Sequence, residues 1–289
     1  MTAAQQVSGL GTTDVVDSTR ARPASDAALT ERSARVVAMS KLHRAAVRRR
    51  ENRFLVEGRN SVTSTLDTGR ALSVVVAEDQ ADRHADLLAR AAGAGLDVLT
   101  VTARAAAKLS ETDTTPGIFA LSALVDTSLD DILAHSPRML AVPVEMSDPG
   151  NAGTLIRAAD AMGADAVVFA GESVDPHNGK SVRASAGSVF HLPIARTADV
   201  TATIAALRAS GIVVLATAAD GDSSLPDVTG VFEGPTAWLF GNEAHGLAPE
   251  IEAQADHRVS IPIRGRAESL NLASAASICL YENARAHRD

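Results

Sequence analysis

The chain has 289 residues, enough for two domains with separate cores. It contains no apolar run near the roughly 18 residues of a membrane helix, and MTAAQQVSGLGTTDVVDSTR has neither a signal-peptide nor a transit-peptide layout. One cysteine, Cys279, excludes an intrachain disulfide, and the net charge of −8 argues against a protein that coats nucleic acid through bulk charge. The expected compartment is the cytoplasm, with no membrane partner.

Residues 1–35 are rich in Ala, Ser, Thr and Asp without periodicity and read as a flexible tail. KLHRAAVRRRENRFLVEGR, Lys41 to Arg59, sets many cations against two carboxylates, Glu51 and Glu57. As a helix it places Lys41, Arg44 and Arg48 on one broad face, which is either a solvated surface or a patch that tracks phosphates. A strand RFLVEG, a helix from Arg59, a strand LSVVVAE and a helix through HADLLARAAGAG follow. With the strand LDVLTV, the helix ARAAAKLSET and the strand GIFALSAL they make a small αβ domain over 36–125.

Residues 126–138 are a linker holding the helical SLDDILAHSP, and a second α/β series occupies 139–289. Its strands are MLAVPVEM, DAVVFAG, VFHLPIA, IVVLATA, TAWLFG and RVSIPI, separated by helices such as NAGTLIRAADAMG and DVTATIAALRAS. Short β-branched runs alternating with helices predict a mainly parallel sheet covered on both faces.

No G-x-G-x-x-G follows a strand in this half, so a dinucleotide crevice is unsupported. NGKS fails as a phosphate loop because Val174 stands where that motif needs glycine. Asp175 and His177 lack further metal ligands and read as a polar loop; no metal is expected.

Three segments at strand ends remain. In SDPGNAGTLIRAADAMGA, Asp148-Pro149-Gly150 makes a turn and Asn151 is placed to cap the next helix. Arg157 in that helix is either a surface arginine with a buried stem or a charged fork aimed into a cleft. In AWLFGNEAHGLAPE, Gly241 and Gly246 bracket Asn242, Glu243 and His245, letting backbone approach a ligand. The third is SIPIRGRAESLNLASAASICLYE, where a small-residue helix opens on Ser269-Leu270-Asn271. Open α/β sheets bind ligands at such strand ends.

NAGTLIRAADAMG, LFGNEAHGL and IPIRGRAESLNLASAASICLYE, in this order and spacing, resemble the catalytic domain of the SpoU family of RNA ribose 2′-O-methyltransferases, in the SPOUT class of knotted enzymes. The likeness runs from about Met139 to the C-terminus. The N-terminal domain resembles, more loosely, the ribosomal-protein-like RNA-binding domain of ribosomal RNA members such as the thiostrepton-resistance type. The resemblance implies a trefoil knot, a homodimer and S-adenosylmethionine as methyl donor. It implies catalytic roles for Asn151, Arg157, Glu243, Ser269 and Asn271, and donor contacts at Gly241, Ile261 and Leu270. Leu239, Phe240, Asn242, Pro262 and Ile263 adjoin these, and Thr217 and Ala218 flank the site from another strand end. Expected RNA contacts are Arg44, Arg48, Arg49, Arg50 and Arg53, with Lys180 and Arg183 at the catalytic mouth.

The expected reaction is methylation of a ribose 2′-hydroxyl in ribosomal RNA, most naturally the 23S molecule. Alternatives are the same chemistry on transfer RNA, or a catalytically silent RNA-binding or ribosome-assembly protein. The intact polar set speaks against silence, and the complete N-terminal domain favours ribosomal RNA.

Overall fold

The computed structural model describes residues 27–286. In the N-terminal domain, α1 (Ala34–Ser40), α2 (Ala45–Glu51), β1 (Arg53–Glu57), α3 (Arg59–Asp67), β2 (Ala71–Ala77), α4 (Ala85–Gly93), β3 (Asp97–Val101), α5 (Ala103–Leu109) and β4 (Ile118–Ala123) follow in order. They build a four-stranded sheet ordered β1-β4-β2-β3, in which β2 and β3 are parallel and the other pairs antiparallel. The predicted tail extends too far. Leu29 bridges Val101, its N–H donating to the Thr100 carbonyl at 2.8 Å, so the chain is already attached to β3 ahead of α1. The rest of that tail, residues 1–26, lies outside the described residues.

The basic stretch is not one helix. Lys41–His43 form a 3₁₀ turn, Arg44 is extended, and α2 ends at Asn52 in the left-handed region (φ 51°), which asparagine tolerates. A further correction concerns Arg48, expected to meet RNA: it is only 3% exposed. Its guanidinium donates to Asp175 Oδ2 at 3.0 and 2.7 Å and to the carbonyls of Leu42 and His43 at 2.8 and 2.9 Å. A buried guanidinium so engaged cannot reach a phosphate; it joins the two domains. Arg183 is likewise used at this joint, with Nη1 3.2 Å from Glu57 and 3.6 Å from Glu111 rather than at a catalytic mouth. Arg44, Arg49 and Arg50 are exposed, and Arg53 is half-buried.

After α6 (Leu129–Ala134), the second domain runs β5 (Met139–Pro143), α7 (Pro149–Ala161), β6 (Ala166–Ala170), α8 (Gly179–Ser185), β7 (Ile194–Thr197), α9 (Val200–Ala209) and β8 (Val213–Thr217). Then come β9 (Ser223–Ser224), β10 (Thr236–Phe240), α10 (Pro249–Glu252), β11 (His257–Ser260) and α11 (Leu272–Ala286). The seven strands are ordered β7-β6-β5-β10-β8-β11-β9 and every pair is parallel. Strands buried on both faces need continuous apolar runs, as in the AVVFA of β6 and TAWLF of β10, all buried. Several predicted strands are shorter than expected, two of them for a visible reason. In VFHLPIA only the end is extended, because Ser188–Phe190 coil as a 3₁₀ turn, and RVSIPI pairs only through Ser260, ahead of Pro262, which lacks an N–H to donate.

Leu155 and Ile156 of α7, Val182 of α8 and Leu280 of α11 cover one face of this sheet; Ile132, Ile204 and Leu207 cover the other. Asn283 accepts from Trp238 Nε1 at 2.8 Å and from Thr236 Oγ1 at 2.7 Å, pinning α11 to β10. Cys279 is a buried hydrophobe in that packing, and desolvation pushes its thiol up to about 12. Among the described residues no helix is long and apolar enough to cross a membrane.

Candidate active site at the carboxyl ends of the strands

Strands β5, β10, β8 and β11 end at one edge of the sheet, with Pro143 opposite Phe240, Leu239 opposite Ala216, and Val259 opposite Thr217. The ends of these strands and the loops that leave them carry most of the expected catalytic and donor-contact residues, where open α/β sheets bind ligands.

The α7 loop departs from expectation in one detail. Asp148, not Asn151, caps α7: its Oδ1 accepts the Asn151 N–H at 2.8 Å, and Pro149 takes the first helical position. Asn151 therefore sits in the first turn with its side-chain amide free for other contacts. Its Nδ2 donates to Glu243 Oε1 at 3.1 Å, and its Oδ1 accepts from Asn271 Nδ2 at 3.0 Å. Glu243 also accepts from the Asp148 N–H at 3.0 Å, the Ser147 N–H at 3.1 Å and Ser147 Oγ at 3.0 Å. Asn271 Oδ1 meanwhile accepts from the N–H groups of Ala273 and Ser274 at 3.0 and 3.2 Å, capping α11. The bridge Asn271–Asn151–Glu243 thus ties three loops together, and each amide's orientation is fixed by its neighbours.

The β10 loop is shaped to present Glu243. The backbones of Asn242 and Gly246 exchange two hydrogen bonds of 2.9 Å, with Gly246 in the left-handed region (φ 70°). Asn242 Nδ2 donates to the Glu145 carbonyl at 2.7 Å, and its Oδ1 accepts the Ala244 N–H at 2.9 Å. Gly241 is obligatory here, because a Cβ would collide with the Gly246 carbonyl and the Leu247 nitrogen. Partial burial opposes ionisation of Glu243, but the donors from Ser147, Asn151 and Asp148 outweigh it and hold the carboxyl below its ordinary value. Lys180 Nζ, 2.8 Å from Asp148 Oδ2, does the same for Asp148, helped by the Asn151 N–H.

Arg157 stands apart from the bridge. It is exposed further along α7 and makes no hydrogen bond or ion pair among the described residues. Ser269 is exposed on the Asn271 loop. Leu239, Phe240 and Gly241 are buried at the end of β10, and Thr217 Oγ1 donates to the Leu239 carbonyl at 2.9 Å. The Ala218 N–H reaches the Val259 carbonyl at 3.0 Å. Ile261 is partly buried, Pro262 is exposed, and Ile263 and Leu270 keep 39% and 38% of their surface exposed, leaving apolar area beside the polar loops. Sequence reasoning missed Ser147 and the capping role of Asp148. The signal was Pro149, which favours the first helical position and so marks the residue before it as the cap.

A parallel α/β domain with polar loops gathered at its carboxyl edge, joined to a small αβ domain and superimposing on SpoU methyltransferase structures, places the chain in the SPOUT class of methyltransferases. Residues 138–281 match the SpoU rRNA Methylase family, and residues 33–120 match the MRM3-like substrate binding domain. The chain belongs to the SpoU rRNA methylase family. It is 31% identical over 241 residues to the 23S rRNA (guanosine(2553)-2′-O)-methyltransferase RlmP of Bacillus subtilis (strain 168), covering 83% of this chain and 92% of that protein. Among solved structures, an AdoMet-bound rRNA methyltransferase from Sinorhizobium meliloti is 32% identical, with a TM-score of 0.77 over 89% of this chain and 96% of that one. The SpoU methyltransferase AviRb from Streptomyces viridochromogenes, in complex with AdoMet, is 31% identical, with a TM-score of 0.75 over 88% and 98% of the two chains.

Proposed function

We propose that this chain transfers a methyl group from S-adenosylmethionine to a ribose 2′-hydroxyl of ribosomal RNA, with 23S RNA as the substrate. The observation that carries the reading is the Asn271–Asn151–Glu243 bridge, which brings one polar residue from each of the three family segments together at one sheet edge. The AdoMet-bound relatives support the donor, and RlmP supports 23S RNA.

The residues present fit the donor. A tight backbone turn at Gly241 and the exposed apolar surfaces of Ile263 and Leu270 offer backbone polar groups beside a place for a flat ring. The ends of β8 and β10, with loop 261–271, would hold it. When bound, it supplies an electrophilic methyl carbon on a sulfonium. The chain's part is to orient the ribose and favour its alkoxide. Asn151, Glu243, Ser269 and Asn271 position the acceptor, and orientation of this kind contributes up to about 7–11 kcal/mol. The free guanidinium of Arg157 docks on the 2′-oxygen and the neighbouring phosphate. Arg157 donates to the 2′-oxygen and stabilises the charge that develops on it, while the hydroxyl proton passes to solvent water and the donor leaves as its neutral thioether.

The N-terminal domain holds RNA, through phosphate contacts from Arg44, Arg49, Arg50 and Arg53 and a ribosomal-protein-like fold; Lys180 adds a cation near the α7 loop. A trefoil knot threads the β8, β10 and β11 loops, a reading supported by Gly221, where a Cβ would stand 2.7 Å from the Val259 carbonyl carbon. The exposed Ile278 and Tyr281 on α11 support a homodimer. The protein works in the cytoplasm.

The test is transfer of labelled methyl to unmodified ribosomal RNA, followed by alkaline digestion. A 2′-O-methylated ribose cannot attack its own phosphate, so the label is expected in an alkali-resistant dinucleotide. Label in mononucleotides would make this a base methyltransferase. Label on transfer RNA alone would move the substrate, and none on either would favour a silent RNA-binding protein.

A further inference from the structure

The N-terminal domain holds a concavity that lies apart from the carboxyl edge of the seven-stranded sheet. α1, α2 and α5 pack on one face of the four-stranded sheet, but the cover stops short of the end of β4, β2 and β3 that carries Leu121, Ser73 and Asp97. There an open cleft of about 590 Å³ is left between the sheet and α1–α2. That volume lies within the ~300–1,000 Å³ typical of small-molecule sites and suits a nucleotide better than an ion.

We propose that this cleft binds an unpaired nucleotide of the substrate RNA, base inward and phosphate on the rim. The proposal rests on the RNA reading above. Leu72, Leu99 and Leu121 give the cleft an apolar floor. Leu72 lies where β2 shifts register against β4, between Ala71 and Ser73, and stays 48% exposed. An irregularity that turns leucine into an open cleft leaves apolar surface for a flat partner. Arg35, Lys41, Arg50 and Arg53 line the same cleft against two carboxylates, Glu51 and Asp97.

Glu51 does not cancel that charge so much as arrange it. It accepts from Arg50 Nε and Nη2 at 3.1 and 2.8 Å and from Arg53 Nη2 at 3.2 Å, holding two guanidinium planes beside each other. No aromatic side chain lines the cleft, so a base would stack on guanidinium planes instead, as unpaired RNA bases do elsewhere. Exposed Asp97 repels a phosphate but accepts a hydrogen bond from an exocyclic amine, which turns the base inward. Bases stacked within a duplex cannot enter, which makes the site selective for loops and bulges.

The experiment compares binding of a 3′-fluorescein decaribonucleotide, single-stranded or annealed to its complement, to the full chain and to Leu72→Trp. Leu72 is half-exposed, so the indole fills the cleft mouth without entering the core. Expected are a preference of the wild type for the single strand and a loss of ten-fold or more in Leu72→Trp, with the Kd for S-adenosylmethionine and the melting temperature unchanged. Crosslinking of 4-thiouridine RNA to the unaltered protein gives a check free of folding artefacts, with adducts expected on the cleft lining, within residues 35–53, 72–73, 97–99 or at Leu121. Equal affinity for the duplex, wild-type binding by Leu72→Trp, or adducts confined to other segments would overturn the proposal. So would a Leu72→Trp protein that changes its oligomeric state but keeps its RNA affinity, because the cleft would then belong to a second copy of the chain. Binding is read without catalysis: a wild type that binds the single strand here yet methylates no RNA sinks the methyltransferase reading and leaves the cleft standing.

Discussion

Asn271 donates from Nδ2 to Asn151 Oδ1 at 3.0 Å while its Oδ1 caps α11 through the N–H groups of Ala273 and Ser274. One side chain therefore couples the last helix to the first turn of α7, and the two roles can be separated. Aspartate keeps the capping acceptor but loses the donor. Asn271→Asp is expected to melt close to the wild type yet lose at least ten-fold in methyl transfer, whereas Asn271→Ala loses activity and also about 1 kcal/mol of stability. Equal activity of Asn271→Asp and the wild type would remove the bridge from the mechanism.

Glu243 carries a pH signature. Its folded carboxyl sits below the ordinary value, since the donors that hold its charged form outweigh partial burial. Its bonds to Ser147, Asp148 and Asn151 thus add stability above the unfolded value, about 4.3, and that gain is lost as pH falls through the lower folded value. Glu243→Gln keeps size but turns an N–H toward these donors. The difference in melting temperature between the wild type and Glu243→Gln is expected to be full at pH 7 and to close under acid. A difference that stays constant down to pH 3 would contradict the assignment.

Arg157 has no structural partner among the described residues and is exposed. Surface changes away from specific contacts usually fall within about ±0.5 kcal/mol. Arg157→Ala should therefore leave the melting curve and S-adenosylmethionine binding in place while nearly abolishing transfer. Arg157→Lys, with charge but no fork, should recover only part of it. Substantial activity in Arg157→Ala would take Arg157 out of the reaction.

Arg48 is expected to behave oppositely to its exposed neighbours. Its replacement by methionine leaves Asp175 without its main countercharge and the Leu42 and His43 carbonyls without a donor. Breaking a buried pair of this kind costs about 3–5 kcal/mol. Arg48→Met should fail first as a loosened domain joint, visible as faster amide exchange in both domains, while Arg49→Met should lower RNA affinity and its salt dependence without altering stability. Equal stability of the two variants would refute the joint.

What was legible in the chain follows from which forces are local. Buried parallel strands advertise themselves as unbroken apolar runs, and Gly, Asn and Pro mark the loops that leave them, so the sheet and three site loops could be placed from residues alone. The catalytic roles proposed for Asn151, Glu243 and Asn271 came through the family resemblance, because periodicity carries no information on which loops meet. The errors have the same origin. Arg48 looks like Arg49 in sequence, and the partner that buries it, Asp175, is 127 positions away. The capping of α7 was misassigned by three positions because Asp148 and Asn151 are both good caps and only Pro149 distinguishes them.

Gly241 offers the most direct test of the β10 loop. A Cβ there would meet backbone on its open side, the Gly246 carbonyl carbon and the Leu247 nitrogen, with the Gly246 oxygen at 2.7 Å. No side-chain rotation relieves a clash with backbone, so Gly241→Ala must open the paired Asn242–Gly246 turn. Forced overpacking costs about 1–3 kcal/mol, and the displaced turn carries Glu243 away from Ser147 and Asn151. S-adenosylmethionine affinity, read by calorimetry, and methyl transfer should both fall by more than ten-fold. Gly230→Ala is the control, because nothing lies within 4 Å of the added methyl. If Gly241→Ala binds the donor as tightly as Gly230→Ala, the loop is not part of the donor site, and the role of Glu243 must be argued without it.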